Sequence, residues 1–446
     1  MDLTVETYWQ DNWHESAAIN IAAPASGYVG QSIVDYDIGY FSDFAAVDGI
    51  KGPVIDARAL SVNYPVDLAS RHRPTWPPFL LDLMPQGHAR RKLSEHLSFA
   101  VDAREADMPL LLRAGSNPIG NIRIKEAAEQ ERDRLAKVMR RGVTEDDIFD
   151  RTDLFVEVVD RFGMLASGSS GLQGEWPKVA LTLAEDGLWY PDAFVDDEEA
   201  RMHVIVKLLR SNEERDRLIL EAEAGYSKLA RELGLNVMEP SRYRNGVLMI
   251  PRFDRDVIGG RRVRHGQESL VSASGVAEFG HLADHERYIN ILKRFSDDPF
   301  ADIVEYMKRD LANRALGNPD NHGRNGALSK GAQGGVRLSP LFDFAPMRLA
   351  TDGVVPSTRW GVMRAAHRDN DPDWGAVCGT LFPDDAEKAA VLYEEMAEFA
   401  ARLLHAPALA VEFGIPDPVI KMAMARCADV VKPLLRRPDI KFNPGV

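Results

Sequence analysis

The residues whose types and spacing could support catalysis lie in the C-terminal third of the chain. Asp320 lies in the segment 318–325 (NPDNHGRN), Asn325 follows five residues later, and Asp343 comes about eighteen residues after that, behind a predicted short hairpin. Phosphoryl transfer needs a carboxylate that orients the attacking hydroxyl and accepts its proton, and it needs an amide and a second carboxylate that hold magnesium. The pattern Asp-x4-Asn followed by a distant Asp therefore indicates a kinase. The alternative is that Asp320 caps a turn after a helix.

A lysine within an apolar strand adds to this pattern. Lys207 lies in the run 203–209 (HVIVKLL), and Glu223 follows on a predicted helix. An ammonium held between a carboxylate and nucleotide phosphates explains a lysine in such a place. The alternative is a lysine at a strand edge whose charged head reaches solvent.

A loop rich in glycine and serine, 167–178 (SGSSGLQGEWPK), precedes the lysine strand directly. Its backbone N–H groups could surround phosphates, although the chain has no GxxxxGK[ST] motif and many such loops are only turns. His322 has no matching cluster of His, Cys and Asp around it in the sequence, which argues against zinc.

The elements that must position these residues follow from hydrophobic periodicity and helix-ending signals. Residues 1–125 are predicted to form a mixed domain that ends in the strand 119–125, and 126–265 a small lobe. Residues 266–446 are predicted to form a mainly helical large lobe. Within these ranges we predict strands at 203–209 and 246–255, a helix at 213–233 that ends before Gly234, a helix that ends at Gly317, and amphipathic helices at 385–404 and 417–435.

Composition excludes several classes of protein. The formal net charge of -14 repels phosphate backbones and argues against strong DNA binding by the chain alone. No secretory signal and no apolar run of membrane-spanning length is visible, which predicts a protein without membrane association. Only Cys378 and Cys427 are present, so a disulfide framework is not expected and a reducing cytoplasm fits.

Taken together, these motifs resemble the HipA family, the kinase toxins of bacterial toxin–antitoxin modules. The motifs that carry the resemblance are ALSVNYPVDL (59–68), FLLDLMPQGHARRKL (79–93), SNPIGNIRI (116–124), GLQGEWPK, HVIVKL, KLARELGLNV (228–237), PRFDR (251–255), DNHGRN and SPLFDF (339–344). The family often has an acidic residue at the hinge, where this chain has Pro251. The resemblance implies an α+β, two-lobed protein-kinase-like fold with an N-terminal mixed α/β subdomain and a mainly helical C-lobe.

The resemblance also implies a role for each matching residue. Asp320 would be the catalytic base, Asn325 and Asp343 would bind Mg²⁺, and Lys207 would contact the phosphates of ATP. The residues that match nucleotide-contact positions or their support are Glu223, Phe253, Gln267, His322 and Phe342. Counted back from Lys178, the position of the family's autophosphorylated serine falls on Gly171 in this chain, which makes the neighbouring Ser170 the first candidate and Ser169 the second.

The function implied is an ATP- and Mg²⁺-dependent serine/threonine protein kinase that acts on a protein substrate, an aminoacyl-tRNA synthetase in the family, and on itself. The partner implied is a HipB-like helix-turn-helix antitoxin, through which the chain would reach DNA indirectly. Two alternatives stay open: a kinase of a small-molecule acceptor and a non-catalytic corepressor. The N-terminal motifs favour a protein substrate, and retention of Lys207, Asp320, Asn325 and Asp343 together argues against loss of activity.

Overall fold

The computed structural model describes residues 1–166, 176–258, 261–351, 353–364 and 371–436. The chain divides into two compact units, each assembled from three stretches of sequence. The first unit comprises Met1–Arg210, Arg244–Phe279 and Ala327–Val336, and the second comprises Ser211–Tyr243, Gly280–Gly326 and the chain from Arg337 onward. The division at 125 and 265 that the sequence suggests stays a prediction. Elements are numbered below along the chain.

The first unit opens with an antiparallel sheet of order β4-β3-β2-β1-β5. Side chains alternate between the two faces of β1, so Leu3 and Val5 point into a core that also contains Ile19, Trp76 and Phe79. The strands are β1 (Asp2–Trp9), β2 (Asn12–Ile21), β3 (Ser32–Tyr36), β4 (Arg71–Arg73) and β5 (Ile122–Ile124). The helices are α1 (Ile38–Phe44), α2 (Pro78–Asp82), α3 (Gly87–His96), α4 (Asp107–Ala114) and α5 (Lys125–Leu135), with 3-10 turns at Pro24–Val29, Asp48–Ile50 and Arg104–Ala106.

A second sheet in this unit contains the strand that carries Lys207. Four of its strands have the order β7-β6-β8-β10, and their apolar side chains, among them Leu181, Val204, Val206 and Met249, pack on two preceding helices. The elements are α6 (Glu145–Asp150), α7 (Asp153–Ala166), β6 (Lys178–Ala184), β7 (Trp189–Pro191), a 3-10 turn (Asp192–Phe194), β8 (Ala200–Leu208), β9 (Arg242–Arg244) and β10 (Val247–Pro251). The predicted strands at 203–209 and 246–255 are confirmed, the second as β10 alone.

The last part of the first unit is hydrogen-bonded to the N-terminal part of the same unit. The elements are β11 (Arg255–Ile258), β12 (Arg261–Arg264), β13 (Gly266–Ser269), α9 (Leu270–Ala273) and β15 (Ala327–Lys330), and β13 pairs with β15. The strand β16 (Val336–Leu338) begins at the last residue of this unit and continues into the second. Lys330 is 1% exposed and donates to the Ala59 carbonyl oxygen (2.6 Å), while buried Glu268 accepts from the Ser61 hydroxyl (2.6 Å). Burial lowers the pKa of Lys330 and raises that of Glu268, because both charged forms lose hydration.

The second unit is mainly helical. Its elements are α8 (Glu214–Glu232), β14 (Ala283–Asp284), α10 (His285–Phe295), α11 (Pro299–Leu316), a 3-10 turn (Met347–Leu349), β17 (Thr358–Arg359), α12 (Gly361–Arg364), α13 (Trp374–Leu381), α14 (Ala386–Leu403), α15 (Ala406–Glu412), α16 (Asp417–Ala423) and α17 (Cys427–Leu435). Its helices confirm those predicted at 213–233, 385–404 and 417–435. Cys378 and Cys427 are both buried free thiols. Across the described ranges, no helix is both long enough and apolar enough to pass through a bilayer.

Candidate active site

The segment 318–325, called the catalytic loop below, is held at the end of α11. The helix stops at Leu316 because Gly317 adopts the left-handed conformation (φ 75°), and any side chain there would meet the Ala423 carbonyl oxygen at 2.6 Å. Asn318 then donates its backbone N–H to the carbonyl oxygen of Asn313 (2.8 Å) and its side-chain N–H to the Asn313 side chain (2.9 Å). The loop therefore leaves the helix from a fixed point.

Hydrogen bonds inside the catalytic loop bring two of the predicted residues together. The Asn325 amide nitrogen Nδ2 donates to the backbone carbonyl oxygen of Asp320 (2.9 Å), and the Asn325 backbone N–H donates to the carbonyl of His322 (2.9 Å). The backbone N–H of Asp320 donates to Oδ1 of Asn318 (3.3 Å). These bonds use the backbone of Asp320, whose side chain is 29% exposed.

The imidazole of His322 lies beside the Asp320 carboxylate. Its Nδ1 accepts a hydrogen bond from the Arg324 backbone N–H (3.3 Å), so the neutral ring carries its proton on Nε2. Nε2 is 3.5 Å from Oδ1 of Asp320, which is too long for a strong hydrogen bond. The ring therefore presents a weakly polarising N–H to the carboxylate.

The predicted magnesium ligands have atoms of the type that this ion prefers. With Nδ2 of Asn325 bonded to Asp320, the Asn325 carbonyl oxygen Oδ1 is the atom suited to a cation, and Asp343 offers carboxylate oxygens. Magnesium is usually held by one or two such groups together with substrate phosphates, so the donor set fits. No cluster of three or more His, Cys, Asp or Glu that could hold a metal occurs within the described ranges.

The backbone of Asp343 is strained in a way that marks it among the predicted residues. Its φ is +53°, in the left-handed region that costs a non-glycine residue about 1–2 kcal/mol. Other residues with positive φ have plain structural reasons: Asn245 turns a hairpin with Gly246, and Arg151 ends α6. Asp343 follows β16 and lies in neither setting. Strain of this kind is often found at functional sites.

Lys207 lies near the end of β8, opposite Lys178 of β6 and Leu248 of β10. The residue is only 2% exposed, and its ammonium nitrogen lies 5.3 Å from the centre of the Trp176 ring, within cation–π range. A solvated lysine at a strand edge is therefore not what the structure has. Glu223 is buried on α8 of the second unit, and its pairing with Lys207 stays a prediction.

The motif PRFDR is explained by a buried ion-pair network in the first unit. Arg252 donates two hydrogen bonds to the Asp254 carboxylate (2.8 and 2.6 Å) and one to Asp192 (3.1 Å), which also pairs with Arg255. Burial alone would raise the pKa of Asp254, but the charge and hydrogen bonds of Arg252 outweigh it and lower that pKa to about 2. Phe253, between the buried Arg252 and Asp254, is only half-buried.

The remaining predicted residues have less distinctive surroundings. Gln267 lies in β13 opposite Ser329, and its side-chain oxygen is buried with no hydrogen-bond partner in the described structure, which suits a ligand contact. Phe342 is half-buried beside Asp343. Ser169 and Ser170 lie outside the described residues.

Sequence reasoning missed Asp310, which lies on the inner face of α11 and is 3% exposed. Its carboxylate receives hydrogen bonds from Arg314 (2.9 Å), Trp360 (2.9 Å) and Asn321 of the catalytic loop (3.3 Å). A signal was present in the sequence, because Asp310 interrupts the apolar stripe of α11 next to Leu311. A buried carboxylate needs partners, so its position should have drawn a search for them.

Comparison with known proteins agrees with the interpretation of this site as that of a kinase. The family described as the HipA-like C-terminal domain matches residues 170–404, more than half of the chain. A protein of Sinorhizobium fredii (strain NBRC 101917 / NGR234) named "Putative kinase Y4mE" is 30% identical over 194 residues, which are 40% of this chain and 44% of that protein. The chain thus matches less than half the length of this curated relative.

A solved structure of Shewanella oneidensis MR-1 HipA, in complex with HipB and its operator DNA, is similar over 98% of this chain and 100% of that chain, with a TM-score of 0.63 and 16% identity. This likeness confirms the predicted α+β, two-lobed kinase-like fold of the HipA type.

Proposed function

Since the chain belongs to the HipA-like C-terminal domain family, we propose that it is a serine/threonine protein kinase that uses ATP and Mg²⁺ in the cytoplasm. The observation that supports this most directly is the hydrogen bond from Nδ2 of Asn325 to the backbone of Asp320. It fixes a carboxylate and an amide oxygen five residues apart in one short loop. A base and a metal ligand in that arrangement are what phosphoryl transfer requires.

In the proposed reaction, Asp320 orients a serine or threonine hydroxyl and accepts its proton. The hydroxyl oxygen forms a bond to the γ-phosphorus of ATP, the bond from that phosphorus to the bridging oxygen breaks, and ADP leaves with the electron pair. The imidazole of His322, 3.5 Å from the carboxylate, would add only a weak electrostatic contact. Catalysis in this scheme depends on positioning and charge rather than on covalent chemistry by the protein.

Other residues of the chain would hold the nucleotide. Lys207, already buried against Trp176, would place its ammonium on the phosphates. Asn325 and Asp343 would hold magnesium, which when bound neutralises charge on the phosphates. Phe253, Gln267 and Phe342 would line the nucleoside pocket, and Glu223 would support Lys207.

The proposal is tested by incubating the protein with γ-³²P-ATP and a cell lysate freed of endogenous nucleotides. We expect label on protein, on serine or threonine, and on the chain itself in the peptide that contains Ser169 and Ser170. A phosphate there would repel the triphosphate and reduce activity with time. Label in small molecules alone would indicate a small-molecule kinase, and no label would indicate a binding protein; either result contradicts the proposal.

We also propose that the chain acts with a basic, HipB-like antitoxin that binds DNA. The net charge of -14 disfavours contact with phosphate backbones, whereas it suits a basic partner. In mobility-shift or fluorescence titrations, the isolated chain should bind operator DNA weakly, and the mixture with antitoxin should bind tightly and lose affinity steeply with salt. Tight, salt-sensitive binding by the chain alone would contradict this prediction.

A further inference from the structure

Asp310 links the catalytic loop to the helical framework of the second unit. Each oxygen of its carboxylate has a different set of partners. Oδ2 accepts from Nε of Arg314 (2.9 Å) and from the indole N–H of Trp360 (2.9 Å), so it is tied to α11 and to the segment after β17. Oδ1 accepts from Nδ2 of Asn321 (3.3 Å). The hydrogen bonds of Oδ2 therefore go to the scaffold, and that of Oδ1 goes to the loop.

Asn321 is the residue directly after Asp320, so its anchorage controls the backbone from which the proposed base projects. The other polar atom of its side chain, Oδ1, is buried and has no hydrogen-bond partner in the described part of the chain. The bond to Asp310 is thus the side-chain hydrogen bond that the structure records for Asn321. We infer that Asp310 is a positioning residue, which holds Asp320 in place for proton transfer by fixing Asn321.

The surroundings keep Asp310 a charged acceptor. Burial alone would raise its pKa, but the charge of Arg314 and the neighbouring hydrogen bonds lower that pKa to about 2. His285, whose Nε2 lies 3.4 Å from Oδ1, has a pKa lowered by burial and is neutral at pH 7. The His285 ring stacks on Trp360 with ring centres 4.6 Å apart, and its Nδ1 is hydrogen-bonded to the Tyr306 hydroxyl (2.8 Å). A charged acceptor strengthens the bond to Asn321.

Close packing below the loop makes this restraint effective. A side chain on Gly323 would place its Cβ 2.1 Å from the hydroxyl oxygen of Tyr288, so the loop lies directly against α10. This contact and the bond from Asn321 to Asp310 both restrain the loop. Movement of Asp320 therefore requires that one of the two give way.

Because the two oxygens of the Asp310 carboxylate have different hydrogen-bond partners, each set of partners can be removed in a separate variant. Asn321→Ala removes the partner on the loop side, whereas Trp360→Phe removes the indole donor on the scaffold side and keeps an aromatic ring against His285. Replacing Asp310 itself would leave Arg314 without its carboxylate and threaten folding, so the partners are changed instead.

The inference rests on the proposed function, and steady-state phosphoryl transfer with γ-³²P-ATP is its first test. Asn321→Ala should lower kcat on the order of 10²-fold, because misplacement of a catalytic group by about 1 Å has that cost, with KM for ATP within about twofold of wild type. Trp360→Phe should lower the melting temperature and leave kcat within about threefold of wild type. If the wild type transfers phosphate and Asn321→Ala does so at the same rate, the inference is overturned while the proposed function stands.

A second measurement separates failure of the inference from failure of the proposed function. Hydrogen exchange followed by mass spectrometry reports on the backbone of the catalytic loop whether or not the protein transfers phosphate. Asn321→Ala should speed exchange in the peptide that covers 318–325 relative to wild type and to Trp360→Phe. If no sample transfers phosphate, the proposed function fails; faster exchange then supports the restraint on Asp320, and unchanged exchange overturns it.

Discussion

Asp320→Asn is expected to reduce phosphoryl transfer by about 10²- to 10⁴-fold and to leave the affinity for ATP nearly unchanged. The substitution keeps the size of the side chain and the backbone hydrogen bond from Asn325 (2.9 Å). It removes the only feature that proton transfer needs, a carboxylate that can accept the proton of the hydroxyl. Nucleotide binding is assigned to Lys207, Asn325 and Asp343 and should therefore persist.

The rate of label transfer and calorimetric titration with Mg-ATP measure the two effects separately. A matched control is Asp417→Asn, which removes the same charge from an exposed ion pair with Lys421 on α16. Exposed pairs contribute little, so this variant should match the wild type in both measurements. Near wild-type transfer by Asp320→Asn would show that another group accepts the proton.

Asp343→Ala is expected to weaken binding of Mg-ATP while affinity for ATP in EDTA stays unchanged. Loss of an outer-shell partner of a metal costs about 10- to 100-fold in affinity, and loss of a direct ligand should cost no less. The comparison with and without the ion matters, because only the part of the affinity that depends on magnesium should disappear.

The left-handed backbone conformation of Asp343 means that Asp343→Ala changes stability as well as metal binding. The same conformation makes Asp343→Gly a suitable control variant. Alanine at φ +53° is strained, whereas glycine adopts that conformation without penalty. Asp343→Gly should therefore unfold at a higher denaturant concentration than Asp343→Ala and still lack the magnesium-dependent affinity. If Asp343→Gly binds Mg-ATP as tightly as wild type, Asp343 does not hold the ion.

Features that depend on neighbouring residues could be predicted from the sequence. The helix predicted at 213–233 is α8 (Glu214–Glu232), with Gly234 at φ +89° after it, and α11 ends where Gly317 requires it to end. Helix stops of this kind are local, because they depend on one residue's backbone freedom. The catalytic loop was found for the same reason, since it begins at such a stop.

Features that depend on distant residues could not be predicted in this way. Trp360 is 50 positions from the Asp310 that it contacts, and Asp192 is 60 positions from Arg252. Nothing in the local pattern selects these partners among the many polar residues of the chain. The motif PRFDR was conspicuous in the sequence, but only the structure shows that its three charged residues are buried while Phe253 is half-buried.

The buried bond between Lys330 and the Ala59 carbonyl has a consequence for the way the chain is made. These residues are 271 positions apart, and at roughly 5–20 residues per second Ala59 is added to the chain about 14 to 54 seconds before Lys330. Through that interval the carbonyl of Ala59 lacks its native partner. A nascent chain truncated anywhere before residue 330 should thus have an incomplete first unit and be a substrate for chaperones. The catalytic loop, at 318–325, is already synthesised when the residues that complete this unit are added.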